Sequence, residues 1–205
     1  MSPKDHSYFN TYRHFLSQVA TVDDKEWDSM LPLLSVRSYQ KGEFILRPDE
    51  VCDQMQFMVE GFARSYFIDE SGREFNWSFH FNDSKAKPTN VFIVDYASFV
   101  SSSKSRLHME CLSEVTTVSI RREDLNSLYT QSHFWSEIGR QMSEQVYFIT
   151  HNRNLNQFTL DAKDRYDQFV QTYAYLIDRL TQEQIASFLG ITPQSLSRLK
   201  KTALI

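Results

Sequence analysis

The chain has 205 residues, 41% of them hydrophobic and 23% charged, enough apolar material for one or two domains with their own cores. No apolar run reaches the length of a membrane span and the opening MSPKDHSYFN has no signal-peptide core, so no membrane partner and a cytoplasmic location are expected. A net charge of −4 argues against indiscriminate nucleic-acid binding, and two widely spaced cysteines, Cys52 and Cys111, cannot by themselves build a metal site; buried free thiols and no metal are expected.

Residues 8–34 carry Phe15, Val19, Trp27, Leu31 and Leu34 at the spacing of one helical face. After RSYQKGEFIL the period falls to two. QMQFMVEG sets Met55, Phe57 and Val59 on one side of a strand ending at Gly61, and FARSYFIDESGREFNWSFHF reads as a hairpin that turns at DESG. Its second arm alternates, with Phe75, Trp77, Phe79 and Phe81 on one face and Asn76, Ser78 and His80 on the other. Further strands fit 90–94, 107–110 and 115–120, and SSSKS (101–105) is expected to be a mobile loop. Short strands without intervening helices indicate an antiparallel barrel or jelly roll.

From Arg122 the period returns to that of a helix. Phe134, Ile138, Met142, Val146 and Ile149 form a stripe through FWSEIGRQMSEQVYFITHNRNL, with Trp135, Tyr147 and Phe148 lying off it. A long linking helix with surplus apolar surface suggests a homodimer seam over residues 134–152, packing on its own barrel being the alternative. Another helix, DAKDRYDQFVQTYAYLI, leads into LTQEQIASFLGITPQSLSRLKK. There Thr181 and Gln184 form a capping-box pattern, and Ile185, Ala186 and Leu189 give an apolar stripe that Gly190 ends. Thr192 can cap a second helix, Pro193 fits its first turn, and Leu196 and Leu199 face inward.

Two short helices joined around a glycine describe a helix-turn-helix. From Arg179 onward the chain carries a net charge of +3, leaving −7 for the rest, so the cations are gathered on this unit. Gln194, Ser195 and Arg198 are the expected base-reading residues, and Thr192, Lys200 and Lys201 the expected phosphate contacts, because a recognition helix needs amide or short side chains at its entry, an Arg for guanine and cations over the backbone. An ordinary helical hairpin with a solvated basic face is the alternative.

A barrel, a long helix and a C-terminal helix-turn-helix, in this order, resemble the CRP/FNR family of bacterial transcription regulators. The resemblance spans nearly the whole chain and rests on MLPLLSVRSYQKGEFIL, EGFARSYFIDESGRE, AKDRYDQF and LTQEQIASFLGITPQSLSRLKK. It implies an α+β chain: a cyclic-nucleotide-binding-like jelly-roll barrel over 1–121, a dimerisation helix region over 122–156, and a DNA-binding domain over 157–205 without a clear β-wing. The implied partners are double-stranded DNA with a near-palindromic site, a second copy of the chain, RNA polymerase and an unidentified small-molecule effector.

The sequence departs from the family in the phosphate cassette, where a Gly-Glu pair is followed by an Arg and a small residue. FIVD occupies the first position, with Val94 for the glycine and Asp95 for the glutamate, and the arginine position falls on Ser105 with Arg106 one residue late. A one-residue offset in a strand points a side chain to the opposite face. Residues 82–106 contain no glycine, although phosphate cradles rely on glycine for close backbone approach. Asp95, Ser105 and Arg106 thus mark a degenerate pocket and no classical cyclic AMP response is expected. The alternatives are a nucleotide-responsive regulator whose Arg106 holds the phosphate, and a ligand-sensing interaction module without DNA binding.

An enzyme is the other class to weigh, because related barrels build metal-dependent cupins. Those need a close His-x-His and a carboxylate; His80, His108 and Glu110 are the near candidates here, and no His-x-His occurs. No nucleophile elbow or P-loop is present either, so no catalytic residue and no cofactor are expected.

Overall fold

A computed structural model describes residues 3–82 and 90–202. The helix expected over 8–34 is two helices, α1 (Pro3–Ser17) and α2 (Asp24–Met30). The break comes from Asp23, whose carboxylate accepts the Glu26 N–H at 2.8 Å and starts α2 afresh. Pro32 sits in a short 3₁₀ turn, Leu31–Leu33, after which Leu34 opens a strand rather than ending a helix.

The strands are β1 (Leu34–Tyr39), β2 (Phe44–Leu46), β3 (Gln54–Glu60), β4 (Phe62–Ile68), β5 (Glu74–Phe81), β6 (Phe92–Ile93), β7 (His108–Cys111) and β8 (Val115–Arg121). They form two four-stranded sheets, ordered β1-β8-β3-β6 and β2-β7-β4-β5, with every pairing antiparallel. This is the α+β class with jelly-roll strand order, but the sheets face one another as a sandwich and do not close into one hydrogen-bonded ring. Gly61 sits between β3 and β4 at φ +111°, where a Cβ would collide with the Glu114 carbonyl; only glycine fits there. At the DESG turn, Asp69 accepts the N–H groups of Ser71 and Arg73, and Gly72 takes φ +82°.

The alternation in β5 does not persist along the strand. Pairing passes from Ser65↔Ser78 to Tyr66↔Asn76, so Trp77 is an extra residue opposed by none. Such a bulge shifts the side chains before it relative to those after it. Asn76 and His80 are consequently both buried, while Trp77 is 40% exposed instead of sharing the face of Phe79 and Phe81.

Helix α3 (Tyr96–Ser101) lies between β6 and β7, and α4 (Arg122–Gln131) and α5 (His133–Thr159) follow β8. Then come α6 (Ala162–Tyr173), a 3₁₀ segment (Ala174–Arg179), α7 (Gln182–Leu189) and α8 (Pro193–Thr202). One core joins the sheet of β1, β8, β3 and β6 to the helices, through Tyr12, Trp27, Phe57, Val118, Trp135 and Ile138. A second joins Phe62, Phe79 and Phe81 of β4–β5 to Phe169, Ile185 and Leu196 of the C-terminal helices. The aromatic arm of the hairpin therefore serves as the platform on which the helix-turn-helix sits. Cys52 and Cys111 are free and buried.

His80 is 4% exposed inside the sandwich. Its Nδ1 donates to the Phe92 carbonyl at 2.7 Å, so Nε2 accepts the Ser65 hydroxyl at 2.6 Å and the ring is neutral. Burial pushes its pKa down to about 4, against the smaller opposing effect of the Phe92 bond. With the folded value below the unfolded one near 6.5, the unfolded chain binds the extra proton between those limits, so stability is complete above about pH 6.5 and lost as pH falls towards 4. The loss should reach on the order of 3 kcal/mol in urea unfolding, and His80→Leu should flatten that acid limb. An identical acid limb in the variant would assign the effect to other groups.

Candidate nucleic-acid interface and nucleotide cassette

The helix-turn-helix is built by local signals. Thr181 Oγ1 accepts the Gln184 N–H at 3.2 Å and Gln184 Oε1 accepts the Thr181 N–H at 3.0 Å, a reciprocal cap on α7. Gly190 ends α7 at φ +69°, and the Ile191 N–H turns back to the Ala186 carbonyl. Thr192 Oγ1 then accepts the Ser195 N–H at 3.2 Å and starts α8. Ile185, Ala186, Leu189 and Leu196 are buried between the two helices and β5.

On α8, Gln194, Ser197, Arg198 and Lys201 are exposed and fall at i, i+3, i+4 and i+7, one helical face. Gln182, Pro193, Gln194, Ser197, Lys200 and Lys201 line an open concavity at the α7–α8 corner. Ser197 and Gln182 were not singled out from the sequence, although the spacing from Gln194 would have found Ser197. Ser195, expected to read a base, is half-buried with its hydroxyl 3.0 Å from Thr192 Oγ1. Thr192 acts as the helix cap and stays exposed beside Pro193.

The unit is held to the barrel by Ser187, whose Oγ donates to the Glu74 carbonyl at 2.8 Å and accepts the Asn76 N–H at 2.7 Å. Arg153 of α5 lies over the Trp77 and Phe188 rings, 5.0 and 4.4 Å from their centroids, and donates to the Trp77 carbonyl. The bulge that exposes Trp77 thus supplies the carbonyl and ring that receive this cation.

The stripe expected on α5 divides in two. Ile138 is 4% exposed in the barrel core, with Phe134 and Met142 packed against the same core, so these three face the chain's own barrel. Val146 and Ile149 are exposed, and so are Tyr147, Phe148, Leu155 and Phe158, the last at 89%. Phe148, His151, Leu155 and Phe158 recur at intervals of three, four and three, the spacing of a coiled-coil seam. The uncovered apolar surface therefore lies beyond Met142, and the Phe148–Phe158 line runs about half a turn away from the exposed Val146 and Ile149.

In the cassette, Asp95 spends its carboxylate within the chain. Oδ1 accepts the Ser98 N–H at 3.3 Å, capping α3, and Oδ2 accepts the Ser105 hydroxyl at 2.7 Å. Ser105 is buried and Arg106 exposed, as the one-residue offset requires. The serine loop is tied down rather than free: Ser98 Oγ donates to the Ser103 carbonyl at 2.6 Å, the Ser101 and Ser103 hydroxyls are 2.7 Å apart, and Lys104 bridges Val51. Val94 packs against the barrel core.

The cupin candidates are not brought together on a metal. His80 lies in the interior as described; His108 stacks on Tyr66 at 4.7 Å, and Glu110 is paired with Arg64 at 2.8 Å. Among the described residues no three His, Cys, Asp or Glu side chains are grouped to hold an ion. No helix of the described residues is long and apolar enough to cross a membrane.

These features together are the fold of the CRP/FNR transcription regulators, with a cyclic-nucleotide-binding-like domain. Solved structures with this architecture include the c-di-GMP-responsive global regulator CLP of Xanthomonas campestris, at 16% identity and TM-score 0.66, covering 89% of this chain and 92% of that one. FixK2 of Bradyrhizobium japonicum superposes with TM-score 0.68 at 19% identity over 82% of this chain and 83% of its own. A crp/fnr-family transcriptional regulator of Eubacterium rectale gives TM-score 0.67 at 14% identity, over 88% and 82% respectively. No family model matches the sequence and no curated protein does.

Proposed function

We propose that the chain is a dimeric, sequence-specific DNA-binding transcription regulator whose barrel does not use cyclic AMP in the usual way. The observation that carries this reading is α8. It is a capped helix with its apolar side sealed by Leu196, and it turns Gln194, Ser197, Arg198 and Lys201 to solvent on a chain that is otherwise acidic. Gln194 and Ser197 offer amide and hydroxyl groups to base edges, Arg198 a fork for guanine, and Lys200 and Lys201 charge for phosphates. The main contact of the unit with β5 is made by α7, which leaves the Gln194–Lys201 face of α8 exposed. Two copies joined along the exposed half of α5 would present two such helices about one helical turn apart. That the structural neighbours are regulators rather than enzymes fits the same reading.

The cassette supports the second half of the proposal. A cyclic phosphate needs a cation and several backbone N–H groups; here Ser105 occupies the inward position and already satisfies Asp95, while Arg106 faces solvent. The test uses the purified full-length protein. Fluorescence anisotropy should show binding to duplex DNA that weakens steeply with salt, because phosphate contacts release counterions. Titration with cyclic AMP or cyclic GMP to millimolar concentration should give no heat and leave the DNA affinity unchanged. Micromolar nucleotide binding abolished by Arg106→Ala would restore the nucleotide-responsive alternative. Absence of DNA binding at low salt would leave a sensing module in its place.

A further inference from the structure

Arg153 of α5 is a half-buried cation, and among the described residues no carboxylate forms an ion pair with it. Burial pushes its pKa down, against the opposing Tyr173 phenol. An arginine keeps its charge all the same, so the contacts around it must offset the lost hydration. Those contacts come from two other elements. The guanidinium lies over the rings of Trp77 on β5 and Phe188 on α7; Nη1 donates to the Trp77 carbonyl, and Nη2 comes within 3.5 Å of the Asn76 carbonyl. The long helix, the barrel and the helix-turn-helix therefore meet at one side chain.

The acceptor at Trp77 exists because of the bulge. β5 is the edge strand of its sheet, and along a regular strand successive residues direct their backbone groups alternately towards and away from the neighbour. The Asn76 N–H points away from β4, to Ser187, so the next carbonyl of a regular strand would turn back to β4. Trp77 is instead the extra residue, and its carbonyl is free for Arg153. Phe188 is also a ring through which α7 enters the second core, 5.2 Å from Phe79, 5.6 Å from Phe169 and 5.7 Å from Tyr173. Turning α7 on β5 would draw Phe188 off the guanidinium. α8 would move with it, because Leu196 is wholly buried in the same core.

We propose that Arg153 is a positioning residue for DNA recognition: by clamping Phe188 to the bulge at Trp77 it fixes α8 relative to α5, and so sets the half-site spacing that a dimer reads. The spacing rests on the DNA-binding reading above; the clamp does not, so each has its own measurement. Arg153→Met keeps the stem and removes the cation and its donors. Arg153→Lys keeps the charge but loses the flat fork that lies on rings and donates at once.

The first measurement needs no DNA. Spin labels on Glu70→Cys at the hairpin turn and Gln194→Cys on α8, both exposed positions, report the placement of the unit on the barrel, the native thiols being buried. With labelled chains diluted into unlabelled protein, pulsed dipolar spectroscopy should give one narrow distance with Arg153 present. Both variants should give a broadened or shifted distribution, and an unchanged one would overturn the clamp. The second measurement takes a duplex retained in a selection from random sequences and moves its half-sites by one base pair either way. The protein with Arg153 should lose about tenfold in affinity on either shifted duplex, and both variants should lose that preference while binding an isolated half-site as before. A spacing preference as sharp in both variants, or one that Arg153→Lys restores in full, would overturn the positioning role. If no duplex binds even with Arg153 present, the regulator reading fails, and the spacing role with it, while the distance measurement still decides the clamp.

Discussion

Phe148→Glu combined with Leu155→Glu is expected to turn a dimer into a folded monomer. Both side chains are exposed on the single chain, at 62% and 49%, so charging them costs the monomer little. Across a two-fold seam they would bury four large apolar groups, worth roughly 6 kcal/mol or more at about 1.5–3 kcal/mol each, and the variant would set carboxylates against one another in their place. That corresponds to a loss of about four decades in association. Sedimentation equilibrium should find the wild type dimeric and the variant monomeric at micromolar concentration, with identical far-ultraviolet circular dichroism. Ile138→Glu is a different experiment, because Ile138 lies in the barrel core and an unpaired charge there should unfold the chain. A wild type that sediments as a monomer, or a double variant that remains dimeric, would remove the seam from the account.

Arg198→Ala should cost about 1–3 kcal/mol of specific DNA affinity and relax discrimination at one base pair, whereas Lys201→Ala should weaken all sequences alike and flatten the salt slope by about one unit. The two differ because an arginine fork reads guanine in the groove, while a lysine at the end of α8 answers phosphate charge that every sequence carries. Ser195→Ala should have a small effect on specificity, since that hydroxyl is engaged by Thr192, and Ser197→Ala a larger one. Anisotropy on specific and random duplexes separates these cases. Equal losses on both for Arg198→Ala would contradict its role as a base reader.

What could be read in the sequence was what local chemistry decides. The Thr181–Gln184 box, Gly190 and Thr192 determine the helix-turn-helix from residues within a few positions of one another, and each does in three dimensions what its pattern states. Ser105 is buried and its neighbour Arg106 exposed, a local alternation of the kind adjacent residues suggest. Non-local partners escaped. Trp77 leaves the alternation because β4 supplies one residue fewer than β5 at that point, and no count along β5 alone reveals it. Phe79 and Phe81 read as one face of a strand, and the helices they meet lie about a hundred residues further on, brought to them only by the tertiary fold. The α5 stripe divides: Phe134, Ile138 and Met142 pack on the barrel core, while Val146 and Ile149 are exposed. Its first half is claimed by the barrel core, and the Phe148–Phe158 line is visible only once that half is accounted for.

The most direct test is a selection of bound sequences from a pool of random duplexes by the purified protein, followed by sequencing of the retained fraction. The account predicts enrichment of a near-palindrome whose half-sites are centred about 10 base pairs apart, the spacing of two α8 helices related by a two-fold axis about 34 Å apart. A retained pool no different from the input, or one enriched in a single asymmetric half-site, would contradict it.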